Sequence, residues 1–105
     1  MLADTPPPPY YAVIFSSVKR EPAEGYSEMA VAMHKLATEQ PGFLGVESAR
    51  EEVGITVSYW KDTASIIRWK QQSDHLFAQK MGREQWYAAY KTRICRVERD
   101  YAFTR

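Results

Sequence analysis

"FLGVESAREEVGITVSYW", Phe43 to Trp60, contains two short runs rich in β-branched and aromatic residues, separated by a charged turn at Glu51, Glu52, Val53 and Gly54. Such runs suit pleated strands, and a link this short can only fold the chain back on itself. An antiparallel hairpin is therefore expected at the centre of the chain. Alternation predicts Leu44, Val46, Ile55, Val57 and Tyr59 on one face, with Glu47, Thr56 and Ser58 on the other.

Before the hairpin, Tyr26, Met29, Ala30, Met33, Leu36 and Ala37 recur at three-and-four spacing, the stripe of an amphipathic helix, which "QPGF" ends with Pro41 and Gly42. His34 sits at the margin of that stripe as a boundary residue. Further upstream, "YYAVIFSSV" from Tyr10 has the composition of a strand and is broken by Pro22 and Gly25.

After the hairpin, Asp62 or Thr63 can cap a second helix whose apolar surface comes from Ala64, Ile66, Ile67 and Trp69. Ser73 and Asp74 are again good caps, so a pause is expected around "QQSD", and Gly82 suits a left-handed terminator. A short aromatic segment, "REQWYAAY", precedes a last strand, "RICRVERDYAF". In that strand Cys95, Val97, Tyr101 and Phe103 alternate with Ile94, Arg96, Glu98 and Asp100. The order strand, helix, strand, strand, helix, strand defines an α+β class: a ferredoxin-like βαββαβ unit, two helices covering one face of a four-stranded antiparallel sheet.

The opposite face carries Ala12, Ile14, Trp60 and Ile94 among Glu47, Thr56, Ser58, Arg96 and Glu98. A second copy laid sheet to sheet would cover the apolar positions, so a homodimer is expected.

The 105 residues fit one domain over 10–105, preceded by a flexible proline-rich arm, 1–9, in which Pro6 to Pro9 remove four amide donors. Hydrophobic residues at 45% and charged residues at 26% are those of a folded chain, and a net charge of +1 argues against a nucleic-acid partner. No run approaches the roughly 18 apolar residues of a membrane span, and "MLADTPPPPYY" lacks the charged-then-apolar order of a secretory signal. A cytoplasmic location is expected. Cys95 has no second cysteine to pair with and is expected as a small buried residue.

The chain has no phosphate-cradling glycine loop, no paired-cysteine zinc pattern and no Gly-x-Ser-x-Gly elbow. His34 and His75 have no carboxylates at ligand spacing, so no metal site is expected. Trp60, Trp69, Trp86, Tyr59, Tyr87, Tyr90 and Tyr101 could instead line an apolar cleft between the second helix and the sheet, with His75 near its mouth. The same rings could equally be the core of a small domain. Arg83, Glu84, Arg99 and Asp100 suit surface ion pairs.

The stretch "SYWKDTASIIRWKQQSDHLFAQKMGREQWYAAYKTRICRVERDY" resembles the antibiotic biosynthesis monooxygenase family, through Ser-aromatic-Trp-x-Asp, then Trp, His, Gly-Arg-Glu-x-Trp-Tyr and Arg-Asp-Tyr. The likeness extends over residues 10 to 103. It implies a dimeric α/β barrel and a monooxygenase that needs neither metal nor flavin, acting on a small electron-rich aromatic compound. It also implies Trp69 and His75 as catalytic residues, with Tyr59, Trp60, Ser65, Trp86 and Tyr87 shaping the substrate pocket. The chain departs from the pattern in having no asparagine: Ser65 stands where the quinone-forming enzymes place theirs. A non-catalytic dimeric binder of a hydrophobic metabolite and a haem-degrading relative, with His75 on the iron, stand as alternatives.

Overall fold

The computed structural model describes residues 2–79 and 85–105. Its elements follow the predicted order: β1 (Tyr10–Lys19), α1 (Tyr26–Thr38), β2 (Phe43–Arg50), β3 (Gly54–Trp60), α2 (Thr63–Gln79) and β4 (Tyr87–Val97). All strand pairs are antiparallel, in the order β2-β3-β1-β4, which is the ferredoxin-like arrangement. The expected terminator Gly82 and the expected ion-pairing residues Arg83 and Glu84 lie outside the described residues.

Both helix starts have a local cause. Gly25 adopts φ 79°, where a side chain would be strained, and its carbonyl accepts the Met29 amide at 3.0 Å. Asp62 caps α2: its Oδ1 accepts the Ser65 amide at 2.8 Å and the Ser65 hydroxyl at 2.7 Å. These two donors, the hydroxyl first, hold the Asp62 carboxyl below the usual range for aspartate. The expected pause at "QQSD" does not occur. The Ser73 hydroxyl bonds back to the Lys70 carbonyl at 3.0 Å and Asp74 pairs with Lys70 at 3.0 Å, so both groups are satisfied within a continuous helix.

The strand register corrects three expectations. Val46, Ser58, Val13 and Ile94 form one cross-sheet row, and Val13 packs with Trp60 and Ile66 under the helices. Thr56, Ser58 and Trp60 therefore face the helices, while Glu47 shares the outer face with Ile55, Val57 and Tyr59. Trp60 must enter the core, and period two carries Ser58 and Thr56 with it. β4 begins at Tyr87, so Tyr87 to Tyr90 of the aromatic segment belong to the strand. It lies at the sheet edge, and Cys95, paired with Ala12 on the outer face, is exposed instead of buried.

Residues 2–9 make contacts with the outer face. The Ala3 amide donates to Glu47 Oε2 at 2.9 Å, and Thr5 Oγ1 donates to the Tyr10 hydroxyl at 3.0 Å. That hydroxyl in turn donates to Asp100 Oδ2 at 2.5 Å. Among the described residues no helix is long and apolar enough to cross a membrane.

Candidate functional site

The two helices approach the sheet sparingly, while the strands are tightly ladder-paired. Between the layers lies a cavity of about 830 Å³. That is within the roughly 300–1,000 Å³ usual for small-molecule sites. Its floor is Val13, Phe15, Val46, Thr56 and Ser58 from the sheet, and its roof is Met29, Met33 and Ala37 from α1 with Ile66, Trp69 and Phe77 from α2. The turn from Gly42 sets the roof height at one end, where a methyl group on Gly42 would overlap the Ser65 hydroxyl.

The aromatic rings divide between core and cavity. Trp60 is fully buried, its Nε1 donating to Ser58 Oγ at 2.9 Å, with Phe43 edge-on at 5.5 Å and Trp69 stacked at 5.8 Å. Trp69 thus has Trp60 behind it and the cavity before it. At the far end Phe15, Tyr26, Tyr87 and Tyr90 form a ring cluster with centroids 5.4–6.0 Å apart, and all four line the cavity. Edge-to-face contacts of this kind are favoured by the ring quadrupoles and hold the cluster in place.

Of the expected site residues, the structure brings only Trp69 and Tyr87 to the cavity wall. Trp60 is core. Trp86 is buried behind the cavity, its Nε1 donating to the Glu24 carbonyl at 2.8 Å. Ser65 has no exposed surface and its hydroxyl is committed to the Asp62 cap and to Arg68, so it does not stand in for a substrate-facing asparagine. Tyr59 is on the outer face, donating to Glu47 Oε1 at 2.7 Å. Burial, then this bond, pushes its phenol up to about 12, while the Ala3 amide and the Tyr59 hydroxyl lower the Glu47 carboxyl. His75 is exposed and is not among the cavity-lining residues.

That placement also removes the expected iron ligand. A haem in the chamber would receive no bond from His75, and the described residues contain no group of three or more side chains able to hold a metal ion.

Sequence reasoning missed two residues. His34, treated as a boundary residue, lines the cavity and is exposed, which puts it at the rim. Arg50 lies across the sheet: its guanidinium passes over Gly54, its partner in the hairpin, and reaches Ser17 on β1. Nη2 donates to Ser17 Oγ at 2.5 Å and Nη1 to the Ser17 carbonyl at 3.5 Å, with the Tyr26 ring 5.5 Å from Cζ. The available signal was a glycine directly opposite an arginine across a short turn, which leaves the long side chain room to lie down.

These features define a ferredoxin-like α+β domain with an aromatic-walled chamber between helices and sheet. The sequence pattern of the antibiotic biosynthesis monooxygenase family matches residues 9–81, and the chain belongs to that family. The Bacillus subtilis protein YqjZ, itself uncharacterized, is 52% identical over 104 residues, 97% of this chain and 91% of its own. Among solved structures, SnoaB, a cofactor-independent oxygenase from Streptomyces nogalater, superposes with a TM-score of 0.73 at 10% identity, covering 89% of this chain and 97% of that one. PA3566 from Pseudomonas aeruginosa gives 0.68 at 17% identity, covering 90% and 97%.

Proposed function

We propose that the protein is a cofactor-independent oxygenase whose substrate, a small electron-rich aromatic compound, lies in the chamber. The observation that carries this reading is the cavity itself: about 830 Å³ walled by Trp69, Tyr26, Tyr87 and Tyr90, in a chain of the monooxygenase family. The likeness to SnoaB supports the same chemistry.

In such a reaction the substrate supplies every electron. An anthrone loses a proton from its ring methylene, and the resulting anion reacts with dioxygen at that carbon to give a hydroperoxide. Loss of water leaves the quinone, so one oxygen atom enters the product and the other leaves as water. The protein's tasks are to accept the proton, hold the ring and exclude bulk water. His34 is the histidine among the cavity-lining residues, and imidazole exchanges protons near neutral pH, so we assign it the base role in place of His75. Trp69 holds the ring.

Oxygen uptake with 1,8-dihydroxyanthrone tests this. Wild type should consume one dioxygen per substrate above the uncatalysed rate, His34→Ala should be slower by about 100-fold, and His75→Ala should change little. Equal rates for wild type and His34→Ala remove the base. Binding without oxygen uptake makes the chamber a carrier of hydrophobic metabolites, and no binding at all ends both readings.

We also propose that two copies pair through the outer sheet face. Ile14, Ile55, Val57 and Val97 lie there, and after β4 the tail leaves Tyr101 and Phe103 87% and 78% exposed. A second copy is the partner that an apolar, edge-exposed sheet of this kind favours. Sedimentation as a single molecule at micromolar concentration would overturn the pairing.

A further inference from the structure

The polar groups of the chamber are biased toward one charge. Among the described residues its lining contains a single carboxylate, Asp74, paired with Lys70 at 3.0 Å. Against it stands Arg50, on the helix-facing side of the sheet. Arg50 is half-buried and has no carboxylate partner among the described residues. A guanidinium kept in a partly apolar site without a counter-charge is unfavourable unless something else supplies one.

The geometry of that guanidinium is fixed. Ser17, itself buried, takes one N–H from each of Nη1 and Nη2, which occupies the end of the fork. Gly54 provides the flat seat, since any side chain there would overlap Nη2, Cζ and Nε, and the Tyr26 ring approaches from α1. Of the five N–H groups on an arginine, the two adjacent ones on Nε and the far side of Nη2 form a second parallel pair. No acceptor among the described residues engages that edge. Two parallel donors at fixed spacing match the two oxygens of a carboxylate, and an arginine held by other bonds loses little freedom in accepting one. The ring cluster of Phe15, Tyr26, Tyr87 and Tyr90 surrounds the same end of the cavity.

We propose that the chamber's ligand is an aromatic acid: a planar ring lying among these side chains, with its carboxylate seated on the Nε–Nη2 edge of Arg50. This narrows the substrate class of the preceding section and rests on the chamber being the ligand site. A neutral aromatic would leave the guanidinium without its counter-charge, and an aromatic amine would be repelled.

The test compares 2-naphthoate with its neutral isostere 2-naphthamide by quenching of tryptophan fluorescence, with Trp69 on the cavity wall as reporter. Wild type should bind the acid at least tenfold tighter than the amide. Arg50→Ala should bring that ratio close to one, and Arg50→Lys should restore only part of it, because a point charge lacks the fork. Near-UV circular dichroism establishes that the variants retain the fold, and Ser17→Ala, which frees the guanidinium without removing it, should lower the ratio less than Arg50→Ala. If wild type binds both probes with equal affinity, the acid proposal is overturned and the chamber reading survives. A ratio unchanged in folded Arg50→Ala likewise overturns it. If neither probe binds wild type, both readings fall together.

Discussion

At one end of β3, Trp60 lies without exposed surface beside Phe43 and Trp69, and Ser65 is equally buried under Gly42. At the other end, Tyr26, Tyr87 and Tyr90 surround a void across which Arg50 lies over Gly54. Both ends are aromatic and each depends on a glycine that admits a polar side chain. The difference is what the polar group does. The Ser65 hydroxyl closes a helix cap and leaves no room, while the Nε–Nη2 edge of Arg50 meets no acceptor among the described residues and borders the cavity. Aromatic content alone therefore does not separate core from site. The state of the neighbouring polar atoms does.

The largest effects should separate the two tryptophans that touch each other. Trp60→Ala opens a cavity in the dense end and should cost about 3–5 kcal/mol in urea unfolding, whereas Trp69→Ala, already bordering space on one side, should cost about 1–2 kcal/mol. Ligand affinity should follow the opposite order in the folded variants. Similar stability losses at the two positions would erase the distinction drawn between the ends.

The glycines sharpen the contrast. Gly42→Ala forces a side chain onto φ 88° and into Ser65, so thermal or urea unfolding should register about 2–4 kcal/mol of destabilisation. Gly54→Ala meets only the far end of a long side chain, which can move aside. Its stability loss should stay at about 1–2 kcal/mol, the worth of the Ser17 bonds that the displaced guanidinium gives up. A Gly54→Ala protein as unstable as Gly42→Ala would mean that the Arg50 seat is as rigid as the cap.

The smallest effect is one of slope. Asp62 and Glu47 are both held below the usual carboxylate range in the folded protein, by Ser65 and by Ala3 with Tyr59 respectively. A lowered folded value means the stabilisation is complete above the unfolded value near 4 and disappears as pH falls through the folded value. The urea midpoint should thus decline from pH 5 toward pH 3, and Ser65→Ala should flatten that decline by removing the dense end's share. An unchanged acid slope in Ser65→Ala would deny the cap any part in it.

The order of elements was legible because each carries a local signal: the stripe from Tyr26 to Ala37, the "QPGF" stop, the charged turn, and Asp62 ahead of α2. The facing of β2 and β3 was not, because both faces of this sheet are partly apolar. With Ile55, Val57 and Tyr59 on one side and Trp60 on the other, alternation supports either choice, and only the bulk of Trp60 decides it. Trp69 and Tyr87 were found as cavity residues from composition and resemblance. Arg50 and His34 were not, since their roles arise from contacts between distant segments: Arg50 with Ser17 and Tyr26, His34 with the chamber that α2 completes. His75 attracted attention by sequence proximity to Trp69, but six positions along a helix is about 600° of rotation, which turns the two side chains to different sides.

The bond from Tyr10 to Asp100 spans 90 residues, and the same phenol oxygen also accepts a hydrogen bond from the Thr5 hydroxyl. One hydroxyl is thereby a shared latch for both chain ends. Its O–H makes a strong bond to a carboxylate, whose presence, ahead of burial, raises the phenol's affinity for its proton. Peeling from either side must undo this fastening, so the opening movements of the two extremities are yoked, although no strand joins them.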